Sequence, residues 1–147
     1  MYEYIEHLYD FKSSVYDIRK KPDPNRNIIQ KWDEDTDGVA SPGTPDALAG
    51  TAYTVAEDTT LLIDDIDIES AVETYVTLEV STDNGSTWTV QRRWRLASKG
   101  HLSRSFNTPL SFTGTASGAT ATIVKMFFDQ PSAGAMSAGW NGRLIES

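Results

Sequence analysis

The chain contains no cysteine, which excludes disulfides, thiolate metal sites and a cysteine nucleophile. It has only two histidines, His7 and His101, and so little material for imidazole acid–base chemistry. No apolar run approaches the roughly 18–20 residues that cross a bilayer as a helix. The opening MYEYIEHLYD carries acids where a secretion signal carries bases, and no apolar stretch follows it, so the product is expected to be made in soluble form inside the cell. Basic residues are also few. Against 21 Asp and Glu stand 13 Lys and Arg, a net charge of −8, which opposes adhesion to nucleic acid or an anionic membrane. The imbalance is spread along the chain, with 6 basic and 10 acidic side chains in residues 1–50 and 7 and 11 in residues 51–147.

What is present is β-patterning. From Thr51 onward, AYTV, TTLLIDDIDI and TYVTLEVST follow one another, and in the last of these Val76, Leu78 and Val80 alternate with Tyr75, Thr77 and Glu79. Asn84-Gly85 then marks a hairpin, because both residues tolerate the positive φ that a type I′ turn requires. In the following TWTVQRRWRL, Trp88, Val90, Trp94 and Leu96 are placed on one face. Arg92 falls among them and is expected to need a partner in or near the core. HLSRSF, PLSF, ATATIVKMFF and AGWNGRLIE complete about eight strands, the cadence of an antiparallel β-sandwich or barrel. At 147 residues one domain with an appendage is expected: an arm and connector over 1–50 and a sandwich over 51–147. On that division, removal of Met1 to Leu48 should leave a folded domain.

The first 50 residues differ in kind. Tyr2, Ile5, Leu8 and Tyr9 share one helical face for two turns, and KKPDPN then stops any helix, so a short helix or an extended arm is expected. Tyr4, Phe11 and Trp32 add aromatic surface that a mere linker would not carry. That surface is expected to bury itself against the sandwich or a neighbour.

Three constellations bear on chemistry. Asp33, Asp35, Asp37 and Gly38 reproduce the first half of a calcium loop, but Thr44 stands where the closing Glu belongs and SPGTPDALAG forbids the exiting helix. The stretch is read as an ordered connector whose carboxylates cap turns, with a calcium site at those three residues as the alternative. A Ser-His-Asp set can be drawn from His101, Ser103 and a distant Asp, but no nucleophile elbow or oxyanion motif accompanies it, and no enzyme is expected. The acids Asp64, Asp65, Asp67, Glu69 and Glu73 face a basic set of Arg92, Arg93, Arg95, Lys99 and Arg104. They are expected to pair across strands of one sheet or between subunits. No cofactor is implied. Trp88, Trp94 and Trp140 would be the platforms of a carbohydrate-binding sandwich, but Trp88 and Trp94 share the apolar face with Val90 and Leu96, which favours the core.

The order of AYTVAEDTTLLIDDIDIES, TYVTLEVSTDNGSTWTVQRRWRL, HLSRSFNTPLSFTGTASGATATIV and AGWNGRLIES, residues 51–147, resembles the small β-sandwich, often jelly-roll, virion proteins of tailed bacteriophages, nearest in type to those that decorate or cement the head shell. The resemblance implies an eight-stranded jelly roll and a structural role in the virion. It also implies homo-oligomers, trimers first, and contact with other virion proteins such as the major capsid protein. The alternative is a receptor- or glycan-binding module of a tail fibre or other appendage.

Overall fold

The computed structural model describes residues 28–114 and 118–146. Eight strands run β1 (Ile28–Asp35), β2 (Asp46–Val55), β3 (Thr59–Ser70), β4 (Thr74–Ser81), β5 (Thr89–Leu96), β6 (Gly100–Thr113), β7 (Thr122–Asp129) and β8 (Met136–Glu146). Their alternation decides the layers. In β4, Thr74, Val76 and Leu78 are buried while Tyr75, Thr77 and Glu79 turn outward, and β7 buries Val124, Met126 and Phe128 in the same rhythm. Such faces are stable only against a second sheet. Two antiparallel four-stranded sheets result, in the orders β1-β8-β3-β6 and β2-β7-β4-β5. Apart from the β4–β5 hairpin, consecutive strands alternate between the sheets, which is the winding of the jelly roll.

The core lies between the two sheets. Leu61, Ile63, Ile66 and Ile68 of β3 face Val76, Leu78, Val124, Met126 and Phe128, and Trp140 of β8 is 1% exposed. A buried glutamine ties one end together. Gln130 Oε1 accepts from the amides of Val39 (3.0 Å) and Gly134 (3.1 Å), and its Nε2 donates to Thr74 Oγ1 (3.0 Å) and the Gly134 carbonyl (2.9 Å). All four of its hydrogen-bonding positions are used, as burial of an amide demands.

The strand count agrees with the sequence reading, but its membership differs. HLSRSF and PLSF are one strand, β6, which runs on through Pro109. β6 is an edge strand, where the missing amide hydrogen of proline is tolerated, and its register with β3 shifts between Ile63 and Asp65. The eighth strand is β1, inside the segment assigned to arm and connector. It pairs with β8 over its whole length, from Ile28 opposite Arg143 to Asp35 opposite Met136. β2 also begins at Asp46, and Leu48 is 1% exposed in the core. The sandwich therefore starts at or before residue 28 rather than at 51, and removal of residues 1–48 would cut into it.

The hairpin turn is as read: Asn84 has φ 58° and Gly85 φ 89°, with the Ser86 amide donating to the Asp83 carbonyl at 3.3 Å. Asp83 organises the wider loop by accepting from Thr87 Oγ1, the Thr87 amide and Ser81 Oγ. Those hydrogen bonds, Thr87's first, pull its pKa down to about 2. β5 departs from expectation. Leu78 stands opposite Arg92, but Glu79 stands opposite Val90, so Gln91 is an extra residue that reverses the faces before it. Trp94 and Leu96 are buried as expected, whereas Val90 is 51% exposed and Trp88 only half-buried. Arg92 keeps its place opposite Leu78 yet is exposed and meets no acid among the described residues. An edge strand lets its guanidinium reach water, so no core partner is required.

Candidate functional site

The residues singled out in the sequence scatter over both sheets. Tyr2, Tyr4, Ile5, Leu8, Tyr9 and Phe11 lie outside the described residues. Trp32, assigned with them to the arm, belongs to β1 and is 59% exposed. The carboxylates of the loop cap backbone. Asp35 Oδ1 accepts from the amides of Asp37 (3.0 Å) and Gly38 (2.6 Å), and Asp33 Oδ2 accepts from Gly50 (2.9 Å) across to β2. Only Thr36 onward is loop, since Asp33 and Asp35 end β1. Among the described residues no group of three or more His, Asp or Glu is gathered for a metal. Addition of EDTA is accordingly expected to leave the melting temperature unchanged. A rise of several degrees on adding calcium, lost in Asp35→Ala, would assign a cation to this loop instead.

The acidic and basic sets do not meet as expected. Asp64, Asp65 and Asp67 are on β3 of one sheet, and Arg92, Arg93 and Arg95 on β5 of the other, so they cannot be cross-strand neighbours. Each acid has a different partner. Arg143 Nε donates to Asp64 Oδ2 at 3.2 Å, Asn141 Nδ2 to Asp65 Oδ1 at 2.6 Å, and His101 Nε2 lies 2.6 Å from Asp67 Oδ1. Arg95 pairs with Glu73 at 2.8 Å, the one expected acid–base combination that forms, and Tyr75 also donates to Glu73. The hydrogen bond from Arg95 lowers the Glu73 pKa, and the same bond raises that of Arg95. Arg93 stacks over the Tyr75 ring at 4.9 Å. Ser103 stands opposite Asp67 in register, but its hydroxyl makes no hydrogen bond to His101 among the described residues. The pair His101–Asp67 is exposed, without the buried orienting carboxylate of a nucleophilic triad.

The tryptophans divide. Trp94 and Trp140 are core, and Trp140 Nε1 donates to the Thr51 carbonyl at 2.9 Å. Trp88 is half-buried, edge-on to Phe127 with Lys125 over its ring. The exposed one is Trp32, which the sequence reading passed over as arm. Its outward setting is visible in the alternation Ile28, Gln30, Trp32, Glu34, all exposed, against half-buried Ile29, Lys31 and Asp33.

Trp32 lies on the outer face of the β1-β8-β3-β6 sheet, in a row with Gly139, Asp67 and Ser103. Flanking rows carry Gln30, Asn141 and Asp65 on one side and Glu34, Ser137 and Glu69 on the other. The same face carries two shallow depressions of about 390 Å³ each, one lined by Gln30, Asp65 and Asn141 among others, the other by Glu34, Glu69 and His101 among others.

By strand order and burial the chain is an all-β protein of the jelly-roll class, and the outer face of its β1-β8-β3-β6 sheet exposes Trp32 and Ile28 among polar side chains. No family model matches it, and no curated protein matches it in sequence. Solved structures do show likeness. A chain from infectious bursal disease virus Gx strain aligns at 10% identity with a TM-score of 0.45, covering 82% of this chain and 32% of that one. A chain from a study of CBM4 structure and function aligns at 12% identity and 0.39, covering 75% and 68%. The infectious bursal disease virus VP2 subviral particle aligns at 12% and 0.28, covering 82% and 42%. The chain thus spans about a third of the length of the first of these. The jelly-roll assignment rests on the strand order of this chain, and the likenesses add no functional argument.

Proposed function

We propose that the chain is a structural virion protein of a tailed bacteriophage, a capsid decoration or cement protein made in the host cytoplasm and carried in the virion. Its partners are other virion proteins, the major capsid protein first, and further copies of itself as a trimer. One observation carries the reading. Among the described residues two four-stranded sheets already enclose a shared core, and we infer that the aromatics at Tyr2, Tyr4, Tyr9 and Phe11 serve contacts outside it. Aromatic side chains beyond a finished core are the usual anchors of protein interfaces. The arm, rather than the charges of β3 and β5, supplies the assembly contact, because Asp64, Asp65, Asp67, Arg93 and Arg95 each have a partner within the chain.

The test compares the full chain with residues 28–147. The shorter protein is expected to keep its far-ultraviolet circular dichroism and its melting temperature, to lose its oligomeric state on sedimentation, and to fail to pellet with shells of the co-expressed capsid protein. Normal oligomers and normal pelleting without residues 1–27 would sink the assembly-arm reading. The second reading, a glycan- or receptor-binding module, is favoured by the open ring of Trp32.

A further inference from the structure

We propose that the outer face of the β1-β8-β3-β6 sheet binds a neutral polysaccharide, with Trp32 as the platform on which a sugar ring stacks. A pyranose has an apolar C–H face and a polar rim, and it is recognised by an aromatic ring beside fixed planar hydrogen-bonding groups. Both halves of that requirement are met on this face.

Trp32 is 59% exposed at the middle of β1. Its neighbour across the ladder is Gly139, where a methyl group would lie 3.0 Å from Trp32 Cδ1. With no side chain there, the indole edge lies over β8, whose Gly139 is in turn paired with Asp67 on β3. The result is an exposed indole beside a strand position that carries no side chain.

The polar half is preorganised. Asn141 Nδ2 is held on Asp65 Oδ1 at 2.6 Å, which orients both planar groups and leaves the amide oxygen and the second carboxylate oxygen free to meet adjacent hydroxyls. Gln30 completes that row, two residues from Trp32 on the same side of β1. These three side chains line a depression on the face, one register row from that of Trp32.

Charge selects the ligand class. Glu34, Asp65, Asp67 and Glu69 share the face, and of the cations that line its depressions, Lys99 and Arg143, the latter is held by Asp64. Such a field repels uronic-acid polymers and sialylated chains, and it favours neutral hexose or pentose polymers. A protein occupant would instead have to present basic side chains to this face.

The proposal does not rest on the assembly reading. Pelleting of residues 28–147 with shells tests that one, and polysaccharide retention of the full chain tests this one. The experiment is affinity electrophoresis of the full chain through gels containing soluble β-glucan, xylan or galactomannan, with polygalacturonate as the anionic control, followed by tryptophan fluorescence titration against whichever polymer retards it. Retardation by at least one neutral polymer and none by polygalacturonate is expected. Trp32→Ala should weaken binding by about tenfold or more, with an unchanged melting temperature, and Trp32→Phe should retain part of it. Asn141→Ala should weaken it several-fold, and Val90→Ala, an exposed apolar change on the other sheet, should leave it intact. Absence of retardation by every neutral polymer, or equal retardation of wild type and Trp32→Ala, would overturn the proposal. So would loss of shell pelleting in Trp32→Ala with no polysaccharide bound by the wild type, which would make the face a protein contact.

Discussion

Deletion of residues 1–48 is expected to abolish folding, even though the 99 residues left behind hold most of the apolar core. The deletion removes all of β1 and the first residues of β2. β8 loses the ladder that runs from Ile28–Arg143 to Asp35–Met136, which leaves an unpaired edge beside Trp140. Among the described residues two buried side chains go with it, Val39 at 3% and Leu48 at 1% exposure. Emptying the Leu48 site alone costs about 2–5 kcal/mol by analogy with buried leucine-to-alanine changes. Gln130 Oε1 loses one of its two donors, the Val39 amide, and keeps only that of Gly134. Together these approach the whole stability of a domain of this size, about 5–15 kcal/mol. Circular dichroism and thermal melting of the deleted chain are the measurement. A cooperative transition with a native-like β spectrum would show β1 and the start of β2 to be dispensable.

Trp140→Ala is expected to be the most damaging single substitution, at about 3–5 kcal/mol. The indole is 1% exposed at the middle of β8, flanked by Lys31 on β1 and Ile66 on β3, and edge-on to Tyr53 at a centroid distance of 6.1 Å. Its Nε1 also donates to the carbonyl of Thr51, a fully buried residue. Trp94 is 8% exposed on edge strand β5 and packs on Phe106, so Trp94→Ala should cost less. For a chain of this length the larger loss corresponds to a fall in melting temperature on the order of ten degrees. Trp140→Phe separates the two contributions, since it keeps a ring and leaves the Thr51 carbonyl without its donor, at about 1–3 kcal/mol. Denaturant midpoints for the three variants should rank Trp140→Ala lowest. Equal, small losses in both alanine variants would show that neither indole anchors the core.

Where side chains alternate in polarity, the strand was legible before any coordinates. Val76 and Leu78 face inward opposite Trp94 and Arg92, as the period of two in TYVTLEVS requires. Asn84 and Gly85 take the positive φ that their side chains, or the lack of one, permit. Trp94 is core, as its place on one strand face with Leu96 requires. The capping role of Asp35 follows from local geometry two and three residues ahead, which is a sequence property.

β1 was not legible, and the reason is physical. Its inward positions include Lys31, whose ammonium lies over the Tyr53 ring at 5.8 Å, and Asp33, which caps Gly50. An edge strand held by its backbone ladder to β8 needs no apolar stripe, so IIQKWDED carries no hydrophobic period. For that reason Trp32 read as part of an arm. The placement of Val90 escaped for a related cause: one inserted residue, Gln91, turns every earlier side chain of β5 to the opposite face, and a bulge leaves no mark in composition.

Composition and short-range pattern alone determined that this is a cysteine-free, acidic, antiparallel β protein with a defined hairpin and a tryptophan core, because those properties depend on neighbours within a few residues. Tertiary structure alone decided that Trp32 stands open beside Gly139, that Asp65 is held by Asn141 and Asp64 by Arg143, and that the acids of β3 and the arginines of β5 lie on different sheets. These juxtapositions join residues 76 to 107 positions apart, and strand register across a sandwich sets them, which no local preference encodes.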